Sequence, residues 1–230
     1  MPVKKEKLYK DLPRPKLTRA QISAIYKHLQ TLDPAPRTEL NYSNSYTLVV
    51  AVALSAQSTD VGVNKATKAL FEKADTPEKM LALGEDRVRD HIKTIGLYKN
   101  KAANVIKLSQ MLIDDFGSTV PEDRDELIKL PGVGRKTANV VMNEAFGHPT
   151  MAVDTHIFRV SNRTGMAPGK NVYEVELNLQ RVTADEYLLH AHHWLILHGR
   201  YTCVARKPRC YNCAIKHICK FKPKTQRPED

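Results

Sequence analysis

In the stretch Leu130–Val141, LPGVGRKTANVV, a glycine turn leads directly into a predicted helix that opens with two cations. Gly132 and Gly134 let the backbone turn sharply and approach another molecule closely. The first turn of the following helix presents unpaired backbone N–H groups at the positive end of the helix dipole. The stretch therefore predicts a site for an anionic group.

Several kinds of glycine turn have to be distinguished here. The phosphate loop of nucleotide hydrolases requires a glycine five residues before Gly134 and a lysine directly after it, and the sequence has neither. A dinucleotide-binding turn follows a strand, whereas the preceding IKL belongs to a predicted helix. Two interpretations stay open: a helix–hairpin–helix that offers backbone N–H groups to DNA phosphates, and a tight turn between packed helices.

The charge of the chain favours a polyanionic partner. The 230 residues carry a formal net charge of +11. Lys and Arg outnumber Asp and Glu by nine to three in residues 1–37 and by nine to two in residues 199–230. Nucleic acid explains this excess best, with anionic lipid or solubility alone as alternatives. Residues 1–18 are predicted to form a mobile basic arm.

The hydropathy pattern predicts a soluble, all-α protein. Helical periodicity recurs along the chain between Pro, Gly, Asn, Asp and Ser punctuation, and no stretch has a convincing strand pattern. The longest apolar run, Leu48–Leu54, is far too short to span a bilayer, and the basic N-terminus has no apolar run behind it. We therefore expect a cytoplasmic protein that associates with the nucleoid.

A cysteine cluster near the C-terminus predicts a metal site. The four cysteines fall within seventeen residues: Cys203, Cys210, Cys213 and Cys219. Their spacing, C-x6-C-x2-C-x5-C, fits four thiolate ligands in a reducing compartment, and by itself leaves zinc and an iron–sulfur cluster both open. Three cations lie in the loop between the first two cysteines: Arg206, Lys207 and Arg209. A metal that fixes this loop would hold them in an array suited to phosphates.

Asp154, in MAVDTHIFRV, is a candidate for both structure and chemistry. Aspartate is a preferred N-cap, and Val153 can pack on Phe158 as a hydrophobic staple at the same helix start. A capping carboxylate is also fixed in place at the mouth of its helix. Together with a projecting amine at Lys136, it suggests nucleophilic or acid–base catalysis.

These motifs together resemble one family. LPGVGRKTANVV followed by VDTHIFRVSNRTG is similar to the helix–hairpin–helix and Gly/Pro-Asp signature of base-excision DNA glycosylases. LSAQSTD, KTIGLYKNKA, HHWLILHGRYTC and the cysteine spacing narrow the resemblance to the endonuclease III family, over residues 22–221. Its members are bifunctional glycosylases and abasic-site lyases for oxidised pyrimidines. The resemblance implies a monomer acting on double-stranded DNA that contains damaged pyrimidines or abasic sites.

The resemblance also implies an architecture and a cofactor. It implies two helical domains that flank a DNA-binding groove. A six-helix domain with the helix–hairpin–helix would span residues 38–148, and a discontinuous iron–sulfur domain would combine residues 19–37 with 149–230. The four cysteines would hold a [4Fe-4S] cluster, which resolves the choice that their spacing leaves open.

Residue roles follow from the same resemblance. Lys136 matches the nucleophile that forms a Schiff base, and Asp154 the catalytic aspartate. Gln57 matches the residue that fills the space of the everted base, while Ile95 and Leu97 match a loop that wedges at the opposite strand. DNA contacts are further expected from the hairpin and the basic loop: Leu130, Gly132, Val133, Gly134, Arg135, Arg206, Lys207 and Arg209.

Two other functions are compatible with parts of the pattern. An adenine-mispair glycosylase of the same superfamily lacks a lysine at the hairpin position, so Lys136 argues against it. A non-catalytic DNA-binding module with a structural metal would use the hairpin for phosphates alone.

Overall fold

The computed structural model describes residues 9–227, which form helices and connecting loops without any strand. The all-α prediction is confirmed. From Arg19 onward the helices are α1 (Arg19–Leu32), α2 (Ser45–Leu54), α3 (Asp60–Phe71), α4 (Pro77–Leu83), α5 (Glu85–Ile92), α6 (Tyr98–Phe116), α7 (Arg124–Leu127), α8 (Arg135–Phe146), α9 (Thr155–Thr164), α10 (Val172–Val182) and α11 (Asp185–Tyr201). Across residues 9–227, no helix combines the length and apolar character needed to cross a membrane.

The chain divides into two compact units. One is Thr38–His148, called here the hairpin unit, and it contains α2 to α8. The other, called the cysteine unit, combines the described residues of Met1–Arg37 with those of Pro149–Asp230.

The hairpin unit is built around α2. Its sequence, SYTLVVAVAL, is apolar on every side, and such a helix is stable only when neighbours surround it. It packs against α3, α6 and α8. Asn44 starts it with a capping box, in which the Asn44 side chain accepts from the backbone of Thr47 and the Thr47 hydroxyl accepts from the Asn44 backbone. This rigid centre carries the hairpin on α8 and the loops that precede α3 and α6.

The cysteine unit joins distant parts of the sequence through an aromatic core. Tyr26 of α1 stacks on Tyr187, with ring centroids 5.5 Å apart, and lies 6.2 Å from the ring of Trp194. The Trp194 indole N–H donates to the backbone oxygen of Asp33 at 2.7 Å. Helix α1 is thereby fixed to α11, although 161 residues separate Asp33 and Trp194.

The start of the described chain differs from the predicted mobile arm. Residues 1–8 of that arm lie outside the described residues. In the remainder, the Asn178 side chain donates to Pro13 O at 3.0 Å, and the Lys16 amide donates to Gly165 O at 2.7 Å. Leu17 is buried in the core of the cysteine unit. Residues 13–17 are therefore attached to the helices, because Leu17 supplies an apolar anchor that a charge-based argument overlooks.

Candidate functional site

The glycine turn joins α7 to α8 and leaves the start of α8 open. Gly132 has a φ of +80°, in the left-handed region, and the Val133 amide donates to Leu130 O at 3.0 Å to close the turn. Gly134 is the N-cap of α8, in an extended conformation and with no side-chain cap. Gly134 therefore supplies no side-chain acceptor to the first-turn N–H groups of α8, as expected of a helix–hairpin–helix that binds an external anion.

The structure separates the hairpin residues into two groups. Leu130 and Val133 are buried, so their side chains anchor the turn in the core and do not reach a partner. Their predicted DNA contact is limited to the backbone, and the Val133 amide is already used within the turn. Gly132, Gly134 and Lys136 are exposed.

Helical periodicity places Lys136, Asn139 and Asn143 on the side of α8 opposite its apolar stripe, which predicts an open face there. Lys136 is exposed, but Asn139 and Asn143, which share its side of the helix, are buried. The side-chain Nδ2 of Asn143 donates to His148 O at 3.0 Å, which stabilises the end of α8. Only the first turn of the helix, with Lys136, faces outward here.

Gly132 and Gly134 should respond differently to alanine. A Cβ at Gly132 would lie 3.3 Å from Cβ of Asn104 and would occupy left-handed backbone, which costs about 1–2 kcal/mol for an L-residue. A Cβ at Gly134 would meet nothing within 4 Å, and its φ is ordinary at −93°. We expect Gly132→Ala to lower the melting temperature clearly more than Gly134→Ala does. Equal melting temperatures in thermal unfolding would contradict this account of the turn.

Two exposed residues predicted to enter the DNA lie at a pocket next to the hairpin. Gln57 and Leu97 both have left-handed backbone, with φ of 56° and 58°, which is uncommon for side chains of this size. Leu97 keeps 58% of its surface exposed. Both line a pocket of about 270 Å³, which Pro131 and Gly132 of the turn also line. The hairpin unit thus presents these two side chains beside the glycine turn.

Ile95 departs from its predicted role. It is 5% exposed and lies in the core, so its side chain cannot wedge into DNA without unfolding the loop. The Ile95 amide donates to Ile92 O at 3.1 Å and closes the end of α5. Its burial anchors the loop from which Leu97 projects.

Sequence reasoning missed Lys101, which lines the same pocket. It is 8% exposed, and its Nζ donates to the Ser58 hydroxyl at 2.9 Å. Burial lowers the pKa of Lys101 below its ordinary value. The sequence could have predicted this burial, because Lys101 lies on the apolar stripe of α6 that continues with Val105, Leu108 and Leu112.

Asp154 begins α9 as a cap through one of its two carboxylate oxygens. Oδ1 accepts from the amides of His156 and Ile157, both at 2.9 Å. Oδ2 accepts no hydrogen bond from the residues that the structure describes. Val153 is buried before the cap, and Phe158 packs on the same core. The cap fixes the carboxylate and leaves one oxygen for other interactions, so capping and chemistry are compatible here.

Two arginines of α9, also missed by sequence reasoning, connect this helix to the cysteine segment. Arg159 donates to Cys203 O at 2.9 Å and to Gly199 O at 2.8 Å. Arg163 donates to the backbone oxygens of Val204 and Ala205, at 2.7 and 2.8 Å, and stacks over the Phe221 ring. Their spacing of four residues places them on one face of the helix, and this could have indicated that both contact the same segment.

The four cysteines line one cavity of the cysteine unit, together with apolar residues such as Pro208 and Ile215. Burial raises the pKa of the Cys203 thiol, an effect that Arg163 partly opposes, and raises the pKa of Cys213 to about 11. His198 lies 3.8 Å from the Cys213 sulfur, and burial lowers its pKa to about 4. Within residues 9–227, no three His, Cys, Asp or Glu side chains converge closely enough to hold a single metal ion.

The basic loop between the first two cysteines faces solvent. Arg206, Lys207 and Arg209 are all exposed, and none pairs with a carboxylate of residues 9–227. The Arg209 amide donates to Thr202 O at 2.9 Å, which folds the loop back on the end of α11. Three cations are thus displayed from a short, anchored segment.

Fold and sites together define a helix–hairpin–helix protein of DNA base excision repair. Residues 50–184 match the family model described as "HhH-GPD superfamily base excision DNA repair protein". Endonuclease III of Escherichia coli (strain K12) is 56% identical over 208 residues, which cover 90% of this chain and 99% of that protein. The chain therefore belongs to the HhH-GPD superfamily and, within it, to the endonuclease III family.

Solved structures show the same relationship. A non-covalent endonuclease III–DNA complex aligns with a TM-score of 0.84 at 47% identity, covering 89% of this chain and 96% of that chain. A trapped endonuclease III–DNA covalent intermediate aligns with a TM-score of 0.83, at the same identity and coverage.

Proposed function

We propose that this protein is a DNA glycosylase and abasic-site lyase that removes oxidised pyrimidines from duplex DNA in the cytoplasm. The observation that carries the proposal is the exposed Lys136 at the first turn of α8, directly beside uncapped helix amides. Amides that bind a phosphate place the DNA backbone next to this amine. Its neighbour in the chain, Arg135, adds a cation to the same turn.

The base must first leave the helix, since its glycosidic bond is not accessible within the stack. Extrusion costs a few kcal/mol, which protein contacts to the backbone and to the vacated space have to offset. Gln57 and Leu97 suit the second task, because both are exposed on tight loops with fixed backbone. The cations of the basic loop and the hairpin amides suit the first.

Chemistry then proceeds on the sugar. The neutral amine of Lys136 attacks C1′, forming a C–N bond as the glycosidic bond breaks and the base departs with a proton. Asp154 stabilises the positive charge that develops on the sugar, through the oxygen that the cap does not use. The C1′–O4′ bond then breaks, O4′ takes up a proton and the nitrogen forms the Schiff base with C1′. The Schiff base makes the C2′ proton acidic, and loss of that proton expels the 3′ phosphate by β-elimination. A nucleophilic lysine thus couples base removal to strand cleavage.

The four cysteines would hold a [4Fe-4S] cluster. They fit it because four thiol donors surround one shared, largely apolar space. When bound, the cluster would supply structural cross-linking and a positive charge that favours the thiolate form of its ligands. The segment that it fixes also carries Arg206, Lys207 and Arg209, so the cluster would orient these cations towards DNA.

Elemental analysis and the colour of the purified protein test which metal the cysteines bind. We expect purified protein to be brown, to absorb at about 400 nm, and to contain iron and inorganic sulfide without stoichiometric zinc. Cys210→Ser should lose iron, whereas Lys207→Ala, in the same loop, should keep it. Stoichiometric zinc with no iron in the wild-type protein would overturn the cluster assignment.

Borohydride trapping tests the enzymatic proposal. The wild-type protein is incubated with duplexes that contain thymine glycol, dihydrouracil or an abasic site, and borohydride reduces any Schiff base to a stable covalent adduct. We expect adducts with all three duplexes, and none with a tetrahydrofuran analogue that has no group at C1′. Failure to trap on any duplex would leave a non-catalytic DNA-binding role. Base release without trapping would indicate a glycosylase that uses water.

A further inference from the structure

Lys101 joins the two loops whose exposed residues are proposed to enter the DNA. Its backbone amide donates to Leu97 O at 3.0 Å, within the first turn of α6. Its side chain reaches the Ser58 hydroxyl, one residue after Gln57, at 2.9 Å. One residue therefore connects the Leu97 loop through its backbone and the Gln57 loop through its side chain.

The two loops are close to each other at this point. A Cβ added at Gly96 would lie 3.8 Å from the backbone oxygen of Gln57, so the segments that precede Ser58 and Lys101 approach each other closely enough for one added methyl group to bring them into contact. The Ser58 amide donates to Ser55 O at 3.0 Å, which makes Ser58 part of the turn that holds Gln57 in left-handed backbone. The hydrogen bond from Lys101 to the Ser58 hydroxyl therefore also restricts the position of the Gln57 backbone.

Burial of the Lys101 ammonium group lowers the stability of the fold, which is not expected of a residue with a purely structural role. It is a buried cation that no carboxylate of residues 9–227 pairs with, and its side-chain partner, the Ser58 hydroxyl, is neutral. It also lies near the N-terminus of α6, where the helix dipole disfavours positive charge. An apolar residue at this place in the α6 stripe would stabilise the unit better. Because Lys101 lowers the stability of the hairpin unit, its presence is better explained by a role in function than by a role in folding.

We infer that Lys101 is a positioning residue that holds the Gln57 and Leu97 loops in fixed register, so that both side chains enter the DNA together when the damaged base leaves the helix. The inference rests on the proposed function, because it assigns a use to the two exposed side chains. Lys101 itself need not touch the sugar or the base.

The role predicts a defect limited to substrates whose base must be extruded. We expect Lys101→Met and Ser58→Ala each to slow release of thymine glycol from duplex DNA by about tenfold. Each substitution removes the charge-assisted hydrogen bond between the Lys101 amine and the Ser58 hydroxyl. Trapping on single-stranded abasic DNA, which has no stacked base to displace, should stay within about twofold of wild type. The double variant should be no worse than either single one, because the two residues act as a unit.

Two further measurements distinguish positioning from stability. The melting temperature of Lys101→Met should equal or exceed that of wild type, since a buried cation is replaced by an apolar side chain of similar length. The fluorescence of 2-aminopurine opposite the lesion should rise less when Lys101→Met binds than when wild type binds, because Leu97 enters the DNA less often. Lys107→Met, at an exposed position on the same helix, is the matched control and should behave as wild type in every assay.

The outcomes separate this inference from the function on which it depends. If the wild-type protein traps on abasic DNA and excises thymine glycol, but Lys101→Met matches it on duplex DNA, only the positioning role is lost. If the variant loses duplex excision and single-stranded trapping equally, Lys101 acts in chemistry or folding and the inference is also wrong. If the wild-type protein fails to trap, the proposed function itself fails.

Discussion

Lys136→Ala is expected to yield no borohydride adduct with abasic DNA and to lower strand cleavage by about ten-thousandfold or more, a loss typical of removing a covalent nucleophile. Folding should be unaffected, because Lys136 is exposed and makes no hydrogen bond with the described residues. Thermal unfolding of the variant should therefore match wild type. The measurement is the fraction of labelled DNA converted to adduct and to cleaved product in single-turnover reactions.

Lys136→Arg is the sharper variant, because it keeps the charge and removes the nucleophile. A guanidinium still binds phosphate, but it stays protonated and does not form the Schiff base. We expect DNA affinity close to that of wild type and no adduct. Continued trapping by this variant would show that another amine attacks the sugar. If DNA affinity fell together with trapping in both variants, Lys136 would be mainly a phosphate contact.

Local sequence signals were sufficient where the chemistry of a few neighbouring residues determines the conformation. The hairpin could be predicted because only glycine adopts the left-handed turn at Gly132 without strain, and an N-cap is recognisable at Asp154 from its own helix. Even there the limits of the helices were less accurate. The segment RDELIKL suggests a helix of two turns, but α7 stops at Leu127, before the chain tightens towards the glycine turn.

The side on which a motif residue lies depends on the rest of the fold. Ile95 and Leu97 are two residues apart in one motif, yet the first is buried and the second projects, because Leu97 takes left-handed backbone. Leu130 and Val133 are motif residues whose side chains serve the core. A resemblance carries residue identities over to a new chain, but it does not state which atoms face a partner.

Contacts between distant segments were not visible in the sequence. The bonds from Arg159 and Arg163 to the cysteine segment cross about forty residues, and the bond from Lys101 to Ser58 crosses 43. The spacing of Arg159 and Arg163 is also compatible with a solvated helix face. Lys101 was easier to distinguish than the two arginines, because its charge interrupts an apolar stripe. Such interruptions are informative, since lysine is almost never fully buried unless it is paired.

Asp154→Asn is expected to slow base excision by about a hundredfold to ten-thousandfold, while DNA affinity stays equal or increases. Asparagine is as good an N-cap as aspartate, so its side-chain oxygen can still accept from the amides of His156 and Ile157. The substitution removes the negative charge alone. Because a charge at a helix N-terminus contributes only about 0.3–1 kcal/mol, the melting temperature should fall by a few degrees at most.

Asp154→Ala completes the comparison, because it removes the cap as well as the charge. It should lose a further 0.5–2 kcal/mol or so of stability relative to a capped helix, yet excise no more slowly than Asp154→Asn. Equal catalytic loss with unequal melting temperatures would assign the chemistry to the charge and the folding to Oδ1. Full activity in Asp154→Asn would leave capping as the sole role of this carboxylate. The sugar cation formed at C1′ would then need another source of negative charge.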